Sequence, residues 1–231
     1  MRLILVRHGH PNYELDCLTP LGHRQAEAAA ARLENEKIDE FYASSCGRAW
    51  ETAAHTASRY GLPVTKLPFM REVTWGYNGQ TNDPAGHPWD LVDRMILEGK
   101  TLRDSDWQTV PPFQGNSICD NVNRIADEFD KWLETLGYTR EGEYYRAGEN
   151  TEKTVALFSH GGSSNAVLAH ILGIPFPFII QIFRADFTSV TILKFSDTPG
   201  KLVMPVLELV NDCAHIQDLQ SDRFYGNGRN D

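Results

Sequence analysis

Apolar residues fall into two patterns along this chain: short unbroken runs, and stripes that recur every three or four positions. Residues 3–6, Leu-Ile-Leu-Val, and residues 154–158, Thr-Val-Ala-Leu-Phe, are runs of the kind expected for strands buried on both faces of a parallel sheet. Each run breaks close to a His-Gly pair. Ile118, Val122, Ile125, Phe129, Leu133 and Leu136 form a stripe, which predicts a helix with Ser117 as its cap, Asp120 in the capping-box position and Gly137 as its stop. Thr19 followed by Pro20 predicts the start of an alanine-rich helix over about 20–35. Two more helices are expected, Cys46–Arg59 closed by Gly61 and Ser163–Leu172 closed by Gly173.

Short strands are predicted at Glu40–Ala43 and Val64–Leu67. A further pair at Ser189–Phe195 and Leu202–Leu207 flanks the turn Asp197-Thr198-Pro199-Gly200 and should be antiparallel. The polar stretch Thr139–Glu152 reads as a surface excursion. Strands separated by helices imply an α/β fold, a three-layer α/β/α sandwich with a mostly parallel sheet and an antiparallel C-terminal strand. Between about 82 and 115 the pattern weakens around Pro84, Pro88, Pro111 and Pro112, with one short helix expected near Trp89–Glu98. Long irregular segments inside domains are usually functional, so this one is expected to be a lid inserted into a single domain spanning 1–231.

Composition narrows the function. The formal net charge is −9, which argues against a nucleic-acid surface and confines any phosphate site to a local basic pocket. No apolar run approaches the ~20 residues needed to cross a bilayer, and the N-terminal run is too short for a signal peptide, so a cytoplasmic location is expected. Cys17, Cys46, Cys119 and Cys213 form no CxxC pair. A cysteine-based phosphatase would need an arginine six residues after its nucleophile, yet His23, Thr52 and Ile125 stand at that offset from Cys17, Cys46 and Cys119.

In open α/β sheets, ligands bind beyond the carboxyl ends of the strands, where the following helices point their N-termini. His8 and His160 should therefore lie on one edge of one sheet, with Arg7 beside them and Arg48 in the first turn of a helix on that same edge. Gly9, Gly161 and Gly162 would allow backbone N–H groups close to an anion. Cations gathered at a helix N-terminus are unfavourable unless an anion neutralises them, so the pattern predicts an anion site.

These residues carry a family resemblance. Val6-Arg7-His8-Gly9, Leu18-Thr19-Pro20-Leu21-Gly22, Ser44-Ser45-Cys46-Gly47-Arg48-Ala49 running to Thr52-Ala53, Arg71-Glu72-Val73-Thr74-Trp75-Gly76, Ser159-His160-Gly161-Gly162 and Asn211-Asp212-Cys213-Ala214-His215 occur in the order found in the histidine phosphatase superfamily, which the chain resembles. The resemblance implies that His8 is a nucleophile that becomes phosphohistidine. It further implies that Arg7, Arg48 and His160, with Gly161, bind phosphoryl oxygens and that Glu72 protonates the leaving oxygen; the neighbouring Trp75 and Tyr77 are expected to desolvate Glu72 partly, which suits an acid. No cofactor and no metal are implied, and the partner is a small phosphorylated substrate.

The chain departs from the family pattern where Glu-Thr usually follows the signature. His10-Pro11-Asn12 stands there, which makes Asn12 an early candidate phosphate ligand and His10 a candidate substrate contact. Gly115-Asn116-Ser117 replaces the usual Gly-Glu-Ser and removes a carboxylate, which favours a phosphomonoesterase over a phosphoglycerate mutase type. A metal-dependent hydrolase built on His8, His10, His160 and Glu72, and a non-catalytic phosphate-binding module, are the remaining alternatives. Two arginines aimed at one pocket disfavour the metal.

Overall fold

A computed structural model describes residues 1–78, 87–149 and 151–219. Its elements are β1 (Arg2–Arg7), β2 (Pro11–Asn12), β3 (Cys17–Leu18), α1 (Pro20–Leu33), β4 (Glu40–Ser44), α2 (Gly47–Tyr60), β5 (Val64–Leu67), α3 (Pro88–Leu97), α4 (Ser117–Thr135), β6 (Tyr138–Glu141), β7 (Tyr144–Ala147), β8 (Thr154–Ser159), α5 (Gly161–Leu172), α6 (Phe176–Ile182), β9 (Val190–Lys194), β10 (Leu202–Val203) and β11 (Val206–Asp212). The main sheet has six strands in the order β11-β9-β1-β8-β4-β5. The pairs β1/β8, β8/β4 and β4/β5 are parallel, and β9 alone runs against its neighbours.

The unbroken apolar runs are explained by burial on both sides. On β1, Leu3 and Leu5 enter a core formed with α3, α4, α5 and α6, whereas Ile4 and Val6 enter a second core with Leu33 of α1 and Ala53 and Ala57 of α2. On β8, Val155 and Leu157 face the first core and Ala156 and Phe158 the second. These alternating faces make the sheet the middle of three layers. The alanines expected on α1 become its buried stripe, Ala26, Ala29 and Ala30, which lets α1 pack closely.

Four sequence expectations need correction. The cap of α4 is Asn116, not Ser117: Asn116 has extended backbone and its Oδ1 accepts from the N–H of Ile118 at 3.0 Å and of Gly76 at 3.1 Å. The stretch 139–152 is no mere excursion, because it holds the hairpin β6/β7 with Tyr138, Tyr145 and Ala147 buried. Thr139, Glu141 and Tyr144 are exposed and Arg140 and Arg146 half-buried, so few of its positions carry a core pattern and four-residue strands give too little signal. The single strand expected at 202–207 is two: β10 joins the hairpin through β7, and β11 joins the main sheet through β9. Finally, α6 was missed because Pro175 and Pro177 look like breakers, although proline in a first turn gives up only an N–H that has no helical partner.

Within the segment expected to be a lid, residues 82–86 lie outside the described residues. Part of the rest is packed into the body of the protein, while residues 96–101 are exposed. Trp89, Leu91, Val92 and Met95 of α3, with Trp107 and Phe113, belong to the first core.

Candidate active site

Because β1 and β8 pair in parallel with Arg7 opposite Ser159, the next residues, His8 and His160, leave the sheet side by side. Their rings lie 5.1 Å apart, edge to face, and both are withdrawn from solvent. Arg48 arrives from the first turn of α2, which follows the neighbouring β4, and its buried side chain completes the group.

The state of His8 follows from its hydrogen bonds. Nδ1 lies 2.7 Å from the Gly9 carbonyl, which can only accept, so Nδ1 carries the proton. Nε2 is therefore the bare nitrogen, and it accepts from Arg48 Nε at 3.4 Å. Burial, then the charges of Arg7 and Arg48, hold the imidazole well below the ordinary histidine range. His8 is neutral, with its lone pair facing the cations.

His160 is arranged differently. Its Nε2 lies 2.8 Å from Ser44 Oγ, a hydroxyl that already accepts from the Cys46 N–H, so the hydroxyl proton is free to be donated to Nε2. When it is donated, Nδ1 carries the ring hydrogen; that nitrogen is buried and makes no hydrogen bond among the described residues. Burial and the neighbouring His8, Arg48 and Arg7 keep this ring neutral too. Arg7 donates from Nη1 to the Ala185 carbonyl at 2.6 Å and lies 4.3 Å over the Phe187 ring, while its buried Nε has no partner. Gly161 sits against it, since a Cβ there would be 3.8 Å from Arg7 Nε. Two buried donors, Arg7 Nε and His160 Nδ1, thus await an acceptor, which is costly unless one binds.

Both helix N-termini beside the site are occupied by carboxylates of the chain itself. Asp16 Oδ2 accepts from the Gly47 N–H at 2.8 Å and Oδ1 pairs with Arg48 Nη1. The anion that the cationic helix start called for is thus partly supplied internally. A side chain at Gly47 would collide with the Asp16 carbonyl, at 2.1 Å, so the close approach requires glycine. At α5, Glu72 Oε1 accepts from Val73 N at 2.9 Å and Ser163 N at 3.0 Å, and Oε2 accepts from Gly162 N at 3.3 Å. A Cβ at Gly162 would stand 2.6 Å from Glu72 Oε1, so this carboxylate too is admitted by a glycine.

Trp75 and Tyr77 engage other partners: Trp75 lies 4.0 Å ring to ring from His87, and the Tyr77 hydroxyl donates to the Pro112 carbonyl. Asn12 spends its Oδ1 on the N–H groups of Glu14 and Leu15, each at 3.1 Å, in a local turn. His10 borders the site through Phe187, 5.5 Å away, and is tied by Nδ1 to Thr19 Oγ1 at 2.9 Å. Sequence reasoning missed Asp16, Phe187 and the Ala185 carbonyl as site components. Asp-Cys-Leu before the cap Thr19 gives no hint that the acid folds back on Arg48, and Ala185–Ser189 carries no motif. Among the described residues no group of three or more His, Cys, Asp or Glu could hold a metal ion, and no helix is long and apolar enough to cross a membrane.

Comparison with known proteins bears on the fold and the family. The fold matches a phosphoserine phosphatase variant from Entamoeba histolytica solved with phosphoserine, with a TM-score of 0.64 and 22% identity over 93% of this chain and 98% of that one. Among curated proteins, the chain is 24% identical to the probable phosphoglycerate mutase GpmB of Yersinia enterocolitica, covering 94% of this chain and 95% of that protein. It is 30% identical to the glucosyl-3-phosphoglycerate phosphatase of Mycolicibacterium vanbaalenii over 75% of each chain. The model of the histidine phosphatase superfamily (branch 1) matches residues 3–206, and the chain belongs to that family.

Proposed function

We propose that this protein is a phosphomonoesterase of small phosphorylated metabolites that works through a phosphohistidine at His8. The observation that carries the reading is the tautomer of His8: a buried, neutral ring with Nδ1–H tied to Gly9 and a bare Nε2 turned toward Arg48. A neutral imidazole so placed can attack phosphorus in line, splitting one difficult hydrolysis into two easier steps. In the first, the Nε2–P bond forms as the P–O bond to the leaving group breaks. Arg7, Arg48 and His160 Nδ1 hold the equatorial oxygens, whose charge these donors neutralise.

Glu72 supplies the proton to the leaving oxygen. Its Oε1 takes two N–H groups, so Oε2, with one long contact at 3.3 Å, is the atom to carry it. In the second step the resulting carboxylate accepts a proton from the water that attacks the phosphohistidine, and His8 is released neutral. The whole chain acts as one domain in this reading, with 82–115 as its lid, in the cytoplasm, without a cofactor or metal. His10 and Asn12 would meet the substrate only peripherally, given the bonds that already hold them.

The test is phosphate release from p-nitrophenyl phosphate and a metabolite panel in the presence of EDTA, with trapping of an acid-labile phosphoenzyme. Activity and label that persist in chelator and vanish in His8→Ala support the reading; phosphate release by His8→Ala at the wild-type rate ends it. Mutase-type transfer is the second reading, favoured by the match to probable phosphoglycerate mutases over most of both chains. Stimulation by a bisphosphoglycerate with slow phosphate release would favour it.

A further inference from the structure

The C-terminal motif Asn211–His215 has no part in the chemistry above, yet two of its side chains grip the wall behind the nucleophile. We infer that Asn211 and His215 are positioning residues that fix the segment 185–189 and, through it, Arg7 and His8. The inference rests on the roles proposed for those two residues.

The segment 185–189 touches the reacting groups at every position but one. The Ala185 carbonyl accepts from Arg7 Nη1 at 2.6 Å. The Phe187 ring lies 4.3 Å from the Arg7 guanidinium and 5.8 Å from the His8 ring. The Thr188 N–H donates to the His8 carbonyl, and the Ser189 carbonyl accepts from the Arg7 N–H, each at 3.3 Å. Asp186, the exception, faces the C-terminal motif.

This wall does not hold its shape by local preference. Thr188 sits at φ +56°, in the left-handed region that a β-branched residue strongly avoids. One local turn bond, from the Ser189 N–H to the Asp186 carbonyl at 3.1 Å, is reinforced from outside. His215 Nε2 meets Thr188 Oγ1 at 3.1 Å. Asn211 brackets Asp186 from both sides, its Oδ1 accepting from Asp186 N at 2.9 Å and its Nδ2 donating to Asp186 Oδ2 at 3.4 Å. Asp186 is buried, so removing that donor strips a desolvated carboxylate of a partner.

The grip is itself anchored. Asn211 N donates to Thr191 Oγ1 on β9 at 3.0 Å, and the next residue, Asp212, pairs with Arg32 of α1 at 2.8 Å. The chain thus runs from α1 through β11 to Asn211 and His215, then to 185–189, then to Arg7 and His8. Among the described residues the side chains of Asn211 and His215 bond Asp186 and Thr188 rather than His8 or Arg7, so any effect on catalysis must pass through the wall.

Asn211 also has positive φ, +49°, which dictates the test variant. Asn211→Gly keeps that backbone open while deleting the carboxamide. His215→Ala deletes the imidazole, and His215→Gln returns a side-chain amide able to reach Thr188. Turnover of p-nitrophenyl phosphate, inhibition by inorganic phosphate, the acid limb of kcat/KM and thermal melting would be measured on wild type and each variant.

The expected result is a fall in kcat/KM of roughly 10- to 100-fold in Asn211→Gly and His215→Ala at temperatures where both stay folded, the scale of a misplacement of about 1 Å. Inhibition by phosphate should weaken in parallel. With Arg7 no longer held close, the acid limb should move to higher pH, and His215→Gln should recover most of the loss. Folded variants with kcat/KM within about twofold of wild type would overturn the inference. So would a loss that tracks only the unfolded fraction, with the acid limb and phosphate inhibition unmoved. An inactive wild type, or an active His8→Ala, would instead count against the proposed chemistry.

Discussion

Two strands of the sheet, β1 and β8, end in the same way, an apolar run and then His-Gly, yet their imidazoles are prepared for opposite tasks. At the end of β1 the ring is tied through Nδ1 to the carbonyl of the next residue, Gly9, and turns a bare nitrogen toward Arg48. At the end of β8 the ring is tied through Nε2 to the hydroxyl of Ser44 on β4 and keeps a buried Nδ1 without a hydrogen bond, the nitrogen that carries the hydrogen in the proposed reaction. The strand context sets the position of each ring; the group behind it sets its tautomer. In the proposed reaction a nucleophile and a donor are thereby made from one residue type 5.1 Å apart.

The largest effect should come from breaking this pair unequally. His8→Ala should lower turnover by a factor on the order of 10³ or more and abolish the trapped phosphoenzyme, as loss of a nucleophile does. His160→Ala should cost on the order of 10²-fold, the scale for one lost transition-state donor, while still forming phosphoenzyme slowly. Equal losses with no label in either variant would mean that the two rings do not divide the work. Asp16→Asn comes next. Asparagine offers one acceptor and one donor where the carboxylate now serves both the Gly47 N–H and Arg48. KM should therefore rise about tenfold as Arg48 loses its alignment, with a smaller change in kcat. A lower KM would show instead that Asp16 competes with substrate for Arg48.

That asymmetry marks how far the sequence could be read. Runs ending in His-Gly place both rings, and a helix start after Ser44-Ser45-Cys46-Gly47 places Arg48, because a parallel sheet sends consecutive strand ends to one edge whatever lies between them. The tautomers are not legible, since they depend on Gly9 O and Ser44 Oγ in three dimensions. Asp16 and Phe187 are not legible either: each reaches the site through a loop conformation, left-handed backbone at Asp16 and Thr188, that no periodicity announces. Glu72 is intermediate. Its motif gives its place beside α5, but a polar loop predicts neither the N–H groups that hold it nor the glycine that makes room.

Removing the hydroxyl behind His160 tests the donor's side of the pair more gently. Ser44→Ala leaves Nε2 without its partner and frees the ring to exchange tautomers, so turnover should fall severalfold to about tenfold, with phosphoenzyme formation slowed more than its hydrolysis of a pre-labelled enzyme. An unchanged rate would mean that the backbone alone fixes the ring.

The smallest expected effect is on stability and sharpens the one property the two rings share. Burial and the arginines lower the ionisation of both His8 and His160 well below the ordinary 6.5, and burial lowers that of His215 as well. The unfolded chain therefore binds protons below pH 6.5 that the folded chain refuses, so these groups contribute stability that is present above that pH and lost as pH falls through the folded values. Each contributes a slope of about 1.4 kcal/mol per pH unit across its own window. Urea unfolding of wild type and His160→Gln between pH 7 and 5 would read the difference, the variant losing one histidine's share of the slope. An equal slope in both would mean that His160 is protonated when folded, and a protonated His160 needs a bound anion or a carboxylate that the described residues do not bring to its Nδ1.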